Sequence, residues 1–164
     1  MNTKEIVSFR AGRHSASEDT FDVLTNLGFE VDASINVRYT DYLPSSLTEQ
    51  IEPFYLDTGL LEVPTTYFRP SILSRAGLRI FPQRELTATA NTLRTDSPVC
   101  SGHQAMRGIL SSVSGISMYM HPYDATEYHS ELENNGETFR YRVSSLLTEA
   151  SEHFQLVTAR EMTD

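Results

Sequence analysis

Residues 6–35 read IVSFRAGRHSASEDTFDVLTNLGFEVDASI and contain the clearest architectural pattern in the chain. Segments typical of β-strands stand at both ends, over residues 6–10 and 29–35, and a helical segment lies between them. A strand, a helix and a second strand of this total length are typical of a βαβ unit. Since a crossover helix allows the two strands to run parallel, the stretch predicts an α/β fold.

The helix between these strands has predicted ends and a predicted buried face. Ser15 and Glu18 have the spacing of a capping box, and Gly28 stands where a helix commonly terminates. Three apolar residues recur at one-turn spacing and predict the buried face: Phe21, Leu24 and Leu27.

The next segments are less regular. Residues 36–59 are polar and contain prolines, so we expect a long loop excursion. Residues 60–64 resemble a strand that Pro64 ends or places at a sheet edge. A short helix is expected within residues 84–94.

Alternating structure is predicted to continue to the end of the chain. We expect a helix over residues 101–113 and a strand over residues 117–122, with Tyr119 and His121 on one face and Met118 and Met120 on the other. A final strand is expected over residues 154–158. The strongest helix prediction rests on Phe139, Val143, Leu146, Leu147 and Ala150, at i, i+4, i+7, i+8 and i+11. No repeat or linker interrupts these elements, so we expect a single domain over residues 1–164.

Composition excludes several classes of function. A formal charge of -9, from 22 acidic and 13 basic residues, offers no basic surface for nucleic acid. No apolar run approaches the roughly 18 residues of a membrane span, and residues 1–5 have no signal-peptide core, so a cytoplasmic location is the default expectation. The single Cys100 excludes an internal disulfide and is expected to be a structural thiol. Motifs of dinucleotide, P-loop and serine-hydrolase sites are absent from the sequence.

Three polar residues are candidates for chemistry because they lie late in predicted strands. They are Arg10, Asp32 and His121, and in parallel α/β folds reactive groups gather at the carboxyl ends of strands. Each has a structural alternative. Arg10 and Asp32 are also consistent with a salt bridge at strand ends, and His121 with a strand terminator beside Pro122.

Four segments together resemble the later motifs of NodB-homology polysaccharide deacetylases, carbohydrate esterase family four. Residues 9–13 (FRAGR) resemble the arginine motif, and residues 27–34 (LGFEVDAS) the family's D-S-S strand, with Ala33 where serine is frequent. Residues 61–64 (LEVP) follow, and residues 119–123 (YMHPY) resemble the terminal L-x-H-P motif. The four segments occur in the family's order and at similar intervals, and together they span most of the chain.

The resemblance implies a partial irregular (β/α) barrel of the polysaccharide deacetylase type, of which this chain is the C-terminal half. The T-F-D-D-G and H-x-x-x-H motifs, which supply the general base and the metal ligands in the family, are absent from the sequence. We therefore expect no metal site in this chain, although the complete family enzyme uses a zinc-like divalent metal. The chain alone is expected to be inactive and to need a missing N-terminal half or to self-associate.

The resemblance also implies roles for individual residues. His121 would be the general acid that protonates the leaving amine, Arg10 would orient the base carboxylate, and Asp32 would hold or tune the histidine. Tyr119 and Tyr123 would contact the sugar, Tyr123 standing where tryptophan is frequent in the family.

Two other interpretations remain open. One is a non-catalytic carbohydrate-binding or assembly module, with candidate stacking surfaces at Tyr39, Tyr42, Tyr67, Tyr123 and Tyr128. The other is an unrelated α/β protein. A carbohydrate is the expected partner of a deacetylase and of a carbohydrate-binding module. Neither nucleic acid nor a membrane is expected as a partner in any of the three interpretations.

Overall fold

The computed structural model describes residues 6–68, 86–94, 101–111, 113–121, 124 and 136–163. The chain divides into two compact units, and each is described by itself. The first comprises Met1–Thr65 with Leu156–Asp164, and the second comprises Thr66–Gln155.

The first unit is built on a four-stranded sheet. Its strands are β1 (Ser8–Phe9), β2 (Val31–Asp32), β3 (Phe54–Tyr55) and β4 (Leu61–Glu62), in the order β1-β2-β4-β3. The strands β1, β2 and β4 are parallel, whereas β3 pairs antiparallel with β4. The predicted βαβ unit is therefore confirmed, although each strand is shorter than the sequence suggests.

Helix α1 (Glu18–Asn26) connects β1 and β2, but its cap differs from the prediction. Ser17 is the N-cap and forms a capping box with Thr20. The predicted pair of Ser15 and Glu18 is wrong because Ser15 still belongs to the turn that precedes the helix, at the end of a 3-10 segment over Gly12–His14.

The far end of α1 agrees with the sequence in one respect and differs in another. Gly28 has a φ of 83°, in the left-handed region that favours glycine after a helix. Phe21 and Leu24 are buried, as predicted, but Leu27 is 71% exposed. Leu27 is the C-cap residue, beyond the last full turn of α1, and so does not share the buried face.

Apolar side chains pack in two clusters within the first unit. Phe21, Ile35 and Leu60 belong to one cluster, and Val31 and Leu61 to the other. Adjacent residues Leu60 and Leu61 thus contribute to different clusters, which is the alternation expected of a strand.

Two predictions for residues 36–64 need correction or refinement. The excursion over residues 36–59 includes 3-10 segments at Thr40–Tyr42 and Ser45–Leu47, and also β3. The segment is therefore not a continuous loop, because the chain reverses direction after β3 and β3 pairs antiparallel with β4. Pro64 ends β4 as expected, and β4 lies between β2 and β3 in the sheet.

The second unit contains a pair of antiparallel strands and three described helices. Strand β5 (Tyr67–Phe68) is antiparallel to β6 (Leu86–Thr87), and the helices are α2 (Ala90–Arg94), α3 (Gly102–Arg107) and α4 (Gly136–His153). The helix predicted over residues 139–150 is confirmed. Those predicted within residues 84–94 and over 101–113 are confirmed in part, because Leu86–Thr87 is a strand and the second helix ends at Arg107. The core of the unit includes Leu93, Met106, Leu110 and Phe139.

Two predicted strands are wrong. Residues 117–121 form no ladder, and only Tyr119 makes an isolated parallel bridge, with Thr89. Residues 154–158 are not a strand either: Phe154 packs against the core of the second unit, while Leu156 and Val157 are exposed. An extended segment becomes a strand only where a neighbour supplies hydrogen bonds over several residues.

The described residues thus form a mixed α/β structure with a partly parallel sheet. No helix in the described part of the chain combines the length and the apolar character needed to cross a membrane.

Candidate functional site

The carboxyl ends of three parallel strands meet at one edge of the first unit's sheet. Arg10 follows β1, Asp32 ends β2 and Glu62 ends β4. Phe9 is the register partner of Asp32, and Asp32 is the register partner of Glu62. The strand register therefore brings the carboxyl groups of Asp32 and Glu62 side by side. Arg10 is the residue after Phe9, the register partner of Asp32 in β1.

Asp32 is fully buried and takes part in a short hydrogen-bond relay. Its Oδ1 accepts a hydrogen bond from the Ser34 hydroxyl at 2.7 Å, and its Oδ2 accepts one from the Ser34 backbone N–H at 3.2 Å. The same hydroxyl oxygen accepts a hydrogen bond from the Ala11 N–H at 2.8 Å. Ser34 thus connects the end of β2 to the residue directly after Arg10.

Glu62 is also fully buried, and its two oxygens have different surroundings. Oε1 accepts a hydrogen bond from the Ile35 N–H at 2.9 Å, whereas Oε2 is buried and accepts none. The pKa of Glu62 is raised to about 9, first by burial and then by the hydrogen bond and the negative charge of Asp32. The Ile35 N–H and the positive charge of Arg10 act in the opposite sense on this pKa.

A histidine that the sequence does not single out borders this edge. His14 is buried, and its Nδ1 lies 3.0 Å from the Ser34 carbonyl oxygen. A carbonyl can only accept, so Nδ1 carries the proton and donates it. The His14 ring stacks on Tyr39 with centroids 5.4 Å apart. His14 and Arg13 have backbone φ values of 56° and 57°, in the left-handed region that few residues other than glycine adopt.

His121 lies in the second unit, in a turn closed by Asp124. The His121 N–H donates to Asp124 Oδ2 at 2.7 Å, and the Asp124 N–H donates to the His121 carbonyl at 2.9 Å. Arg94 Nη1 donates to Asp124 Oδ1 at 2.5 Å, and its Nη2 donates to the Asp124 carbonyl. Both members of this ion pair are buried, and the Arg94 guanidinium lies 4.7 Å from the Phe139 ring centroid.

The imidazole of His121 belongs to an exposed residue beside Tyr119. The two ring centroids are 6.3 Å apart, and the rings are nearly perpendicular at 76°. The backbone of His121 is therefore held by a buried ion pair, while its side chain is accessible to solvent.

The predicted site residues fall in different parts of the structure. Arg10 and Asp32 belong to the first unit, and the charge of Arg10 acts there on Glu62. His121 and Tyr119 belong to the second unit, and Tyr123 lies outside the described residues.

Three further residues of this edge were given no role from the sequence: Glu62, Ser34 and His14. Glu62 had a detectable signal, because it is a lone charge between Leu61 and Val63 in an apolar run. The contacts of Ser34 with Ala11 and of His14 with Ser34 had no such signal, because they join residues that are 23 and 20 positions apart in the sequence.

Within the described ranges, no three His, Cys, Asp or Glu side chains are grouped so that they could hold a metal ion. Cys100 and His129 lie outside those ranges.

Comparisons of this chain with protein-family models, with curated proteins and with solved structures found no match.

Proposed function

We propose that this chain is the arginine-, aspartate- and histidine-bearing part of an N-acyl-sugar deacetylase similar to the NodB-homology enzymes. The observation that carries the proposal is the position of Arg10 and Asp32 at the carboxyl ends of neighbouring parallel strands, with Asp32 buried and hydrogen-bonded. This is the edge at which parallel α/β folds collect reactive groups. The three parallel strands are consistent with part of an irregular (β/α) barrel.

The first unit is suited to orienting a carboxylate. Burying Asp32 and Glu62 costs free energy unless charge there is compensated, and Arg10 contributes a positive charge that acts on Glu62. A guanidinium held in this way has a planar set of donors that suits a further carboxylate. In the proposed enzyme that carboxylate is the general base of the other part.

The second unit is suited to delivering a proton. In the proposed reaction water loses a proton to the general base of the missing half and adds to the acyl carbonyl, the C–N bond breaks, and the departing nitrogen takes a proton from the His121 imidazolium. The products are a carboxylic acid and a free sugar amine. The side chain of His121 is accessible to substrate, and its backbone is fixed through Asp124 and Arg94.

The family's divalent metal supplies polarisation of the acyl carbonyl when it is bound. The described residues of this chain do not fit such a metal, because no group of suitable ligands is present among them. The proposal therefore assigns the metal to the other part of the enzyme and gives this chain only orientation and proton transfer.

A second candidate function is carbohydrate binding without catalysis. It is favoured by two tyrosines near the sheet edge that are largely exposed, Tyr39 at 48% and Tyr42 at 61%. Tyr39 is stacked on buried His14 while about half of its surface is exposed. Rigid aromatic rings of this kind offer an apolar face at low entropic cost.

The test joins or co-expresses the chain with the metal- and base-bearing half of a NodB-type deacetylase and measures acetate release from N-acetylglucosamine oligomers. We expect turnover with the natural chain and a loss of about 10²- to 10⁴-fold in kcat with His121→Ala, with a much smaller change in KM. Met120→Leu is the matched control. Met120 is the exposed neighbour of His121 and has no role in the proposed chemistry, and leucine has a side-chain volume close to that of methionine.

A folded complex with no turnover, or His121→Ala with normal turnover, would overturn the proposed deacetylase. Oligosaccharide binding by the chain alone that is lost in Tyr42→Ala would then support the binding module. An in-frame T-F-D-D-G motif in the DNA upstream of the Met1 codon would identify the other part directly.

A further inference from the structure

The carboxyl pair at the end of β2 and β4 has an unusual charge balance. Asp32 and Glu62 are register partners, and neither side chain is exposed to solvent. Two ionised carboxylates in this position would repel each other in a medium that screens charge poorly. Water cannot relieve that repulsion, so neighbouring groups must do so.

The groups that face Glu62 provide only partial compensation. On the β2 side are Asp32 and the Ile35 N–H, and Arg10 contributes one positive charge from the end of β1. On the other side Glu62 is the register partner of Phe54 in β3, which carries no charge. With both carboxyls ionised, one cation would face two anions, and Glu62 Oε2 would be buried without a donor.

A single proton removes both difficulties. If Glu62 is protonated through Oε2 and donates to Asp32, the oxygen without a donor becomes a donor itself. The cluster then contains one negative charge, on Asp32, and one positive charge, on Arg10. Burial, and after it a side-chain hydrogen bond to Asp32, raise the pKa of Glu62 to about 9, which is the direction that this protonation requires.

We propose that Glu62 and Asp32 share one proton, and that Glu62 is a positioning residue that holds Asp32 as the charged carboxylate beside Arg10. Glu62 acts through Asp32 and through the Ile35 N–H, which it fixes at 2.9 Å. The shared proton follows from the strand register, the burial of both carboxyls and the absence of a hydrogen-bond partner for Glu62 Oε2, and does not depend on the proposed function. Its role in orienting a site rests on the proposed function.

The test is infrared spectroscopy of the full chain at neutral pH, because a protonated carboxyl absorbs in a region separate from ionised carboxylates. We expect a carboxylic acid band in the natural chain that is lost in Glu62→Gln and retained in Glu49→Gln, a change at an exposed position. Labelling glutamate with ¹³C should shift the band, which assigns it without any substitution. The band should disappear as the pH is raised through about 9.

Absence of the band in the natural chain at neutral pH, or a band that survives Glu62→Gln in a folded protein, would overturn the shared proton. If Glu62→Gln does not fold, the labelled natural chain and its pH titration decide the question. In the joined enzyme, kcat of the natural chain should decline as the pH is raised through about 9, and Glu62→Gln should remove that decline. A carboxylic acid band in the natural chain together with no turnover in the joined enzyme would contradict the proposed function and would still support the shared proton.

Discussion

Asp32 and Glu62 are register partners on the parallel strands β2 and β4, and both side chains are fully buried. The pair links three segments that are distant in sequence, because Ser34 connects Asp32 to Ala11 and Glu62 binds the Ile35 N–H. Changes at this edge should therefore affect stability as well as any activity.

Glu62 should make the free energy of unfolding depend on pH. Its pKa is raised from 4.5 to about 9 in the folded protein, so the folded state keeps a proton that the unfolded state has lost in this range. The contribution of Glu62 is fully present below pH 4.5 and is lost as pH rises toward about 9. Urea unfolding at several pH values between these limits should show this decline, and Glu62→Gln should flatten it. Glu49→Gln should leave the slope unchanged, and an equal slope in all three proteins would contradict the prediction.

Ser34→Ala should destabilise the first unit. The change removes the 2.7 Å hydrogen bond to Asp32 and the acceptor of the Ala11 N–H, and it leaves two buried polar groups without these partners. The expected cost is about 1–3 kcal/mol in the free energy of unfolding. Ser46→Ala, at an exposed position, should cost less than about 0.5 kcal/mol. Equal effects of the two substitutions would show that the relay contributes nothing.

Arg94→Leu should cost far more than Arg107→Leu, although each breaks an ion pair. Arg94 and Asp124 are buried, so removal of Arg94 leaves a buried charge and should cost about 3–5 kcal/mol. Arg107 is paired with Glu149 at a partly exposed position, where such a pair contributes about 0–1 kcal/mol. Amide exchange at His121 should also accelerate in Arg94→Leu, because Asp124 accepts the His121 N–H. Unchanged exchange at His121 in a folded Arg94→Leu protein would show that the ion pair does not hold the turn.

Gly102→Ala should disrupt the contact between α2 and α3. A Cβ at Gly102 would lie 1.7 Å from the backbone oxygen of Thr92, and a backbone atom cannot move aside as a flexible side chain can. The cost is expected to be about 1–3 kcal/mol or more in thermal or urea unfolding. Gly115→Ala is the control in the same unit, since nothing lies within 4 Å of its added Cβ. Similar unfolding midpoints for the two variants would refute the close approach.

The local elements of the fold could be predicted from sequence patterns. The helical spacing of Phe21 and Leu24 predicted the buried face of α1, and that of Phe139, Leu146 and Ala150 the buried face of α4. Leu147, predicted for the same face of α4, is 49% exposed. Gly28 predicted the end of α1 through its backbone freedom. These signals lie within a few residues of one another, so the chain itself carries them. Where neighbouring residues offered competing signals, as Ser15 and Ser17 did for the helix cap, the local pattern chose wrongly.

Tertiary structure alone decided which residues meet at the sheet edge. Asp32 could be predicted as a strand-end carboxylate, but its pairing with Glu62 depends on the register between two strands that are 30 residues apart in sequence. The strand predicted around His121 is only a single bridge at Tyr119. A strand requires hydrogen bonds from a neighbouring strand, and the local pattern does not encode that neighbour. Periodicity is a property of a short segment, whereas register, burial and the state of a shared proton arise only when distant segments exclude water together.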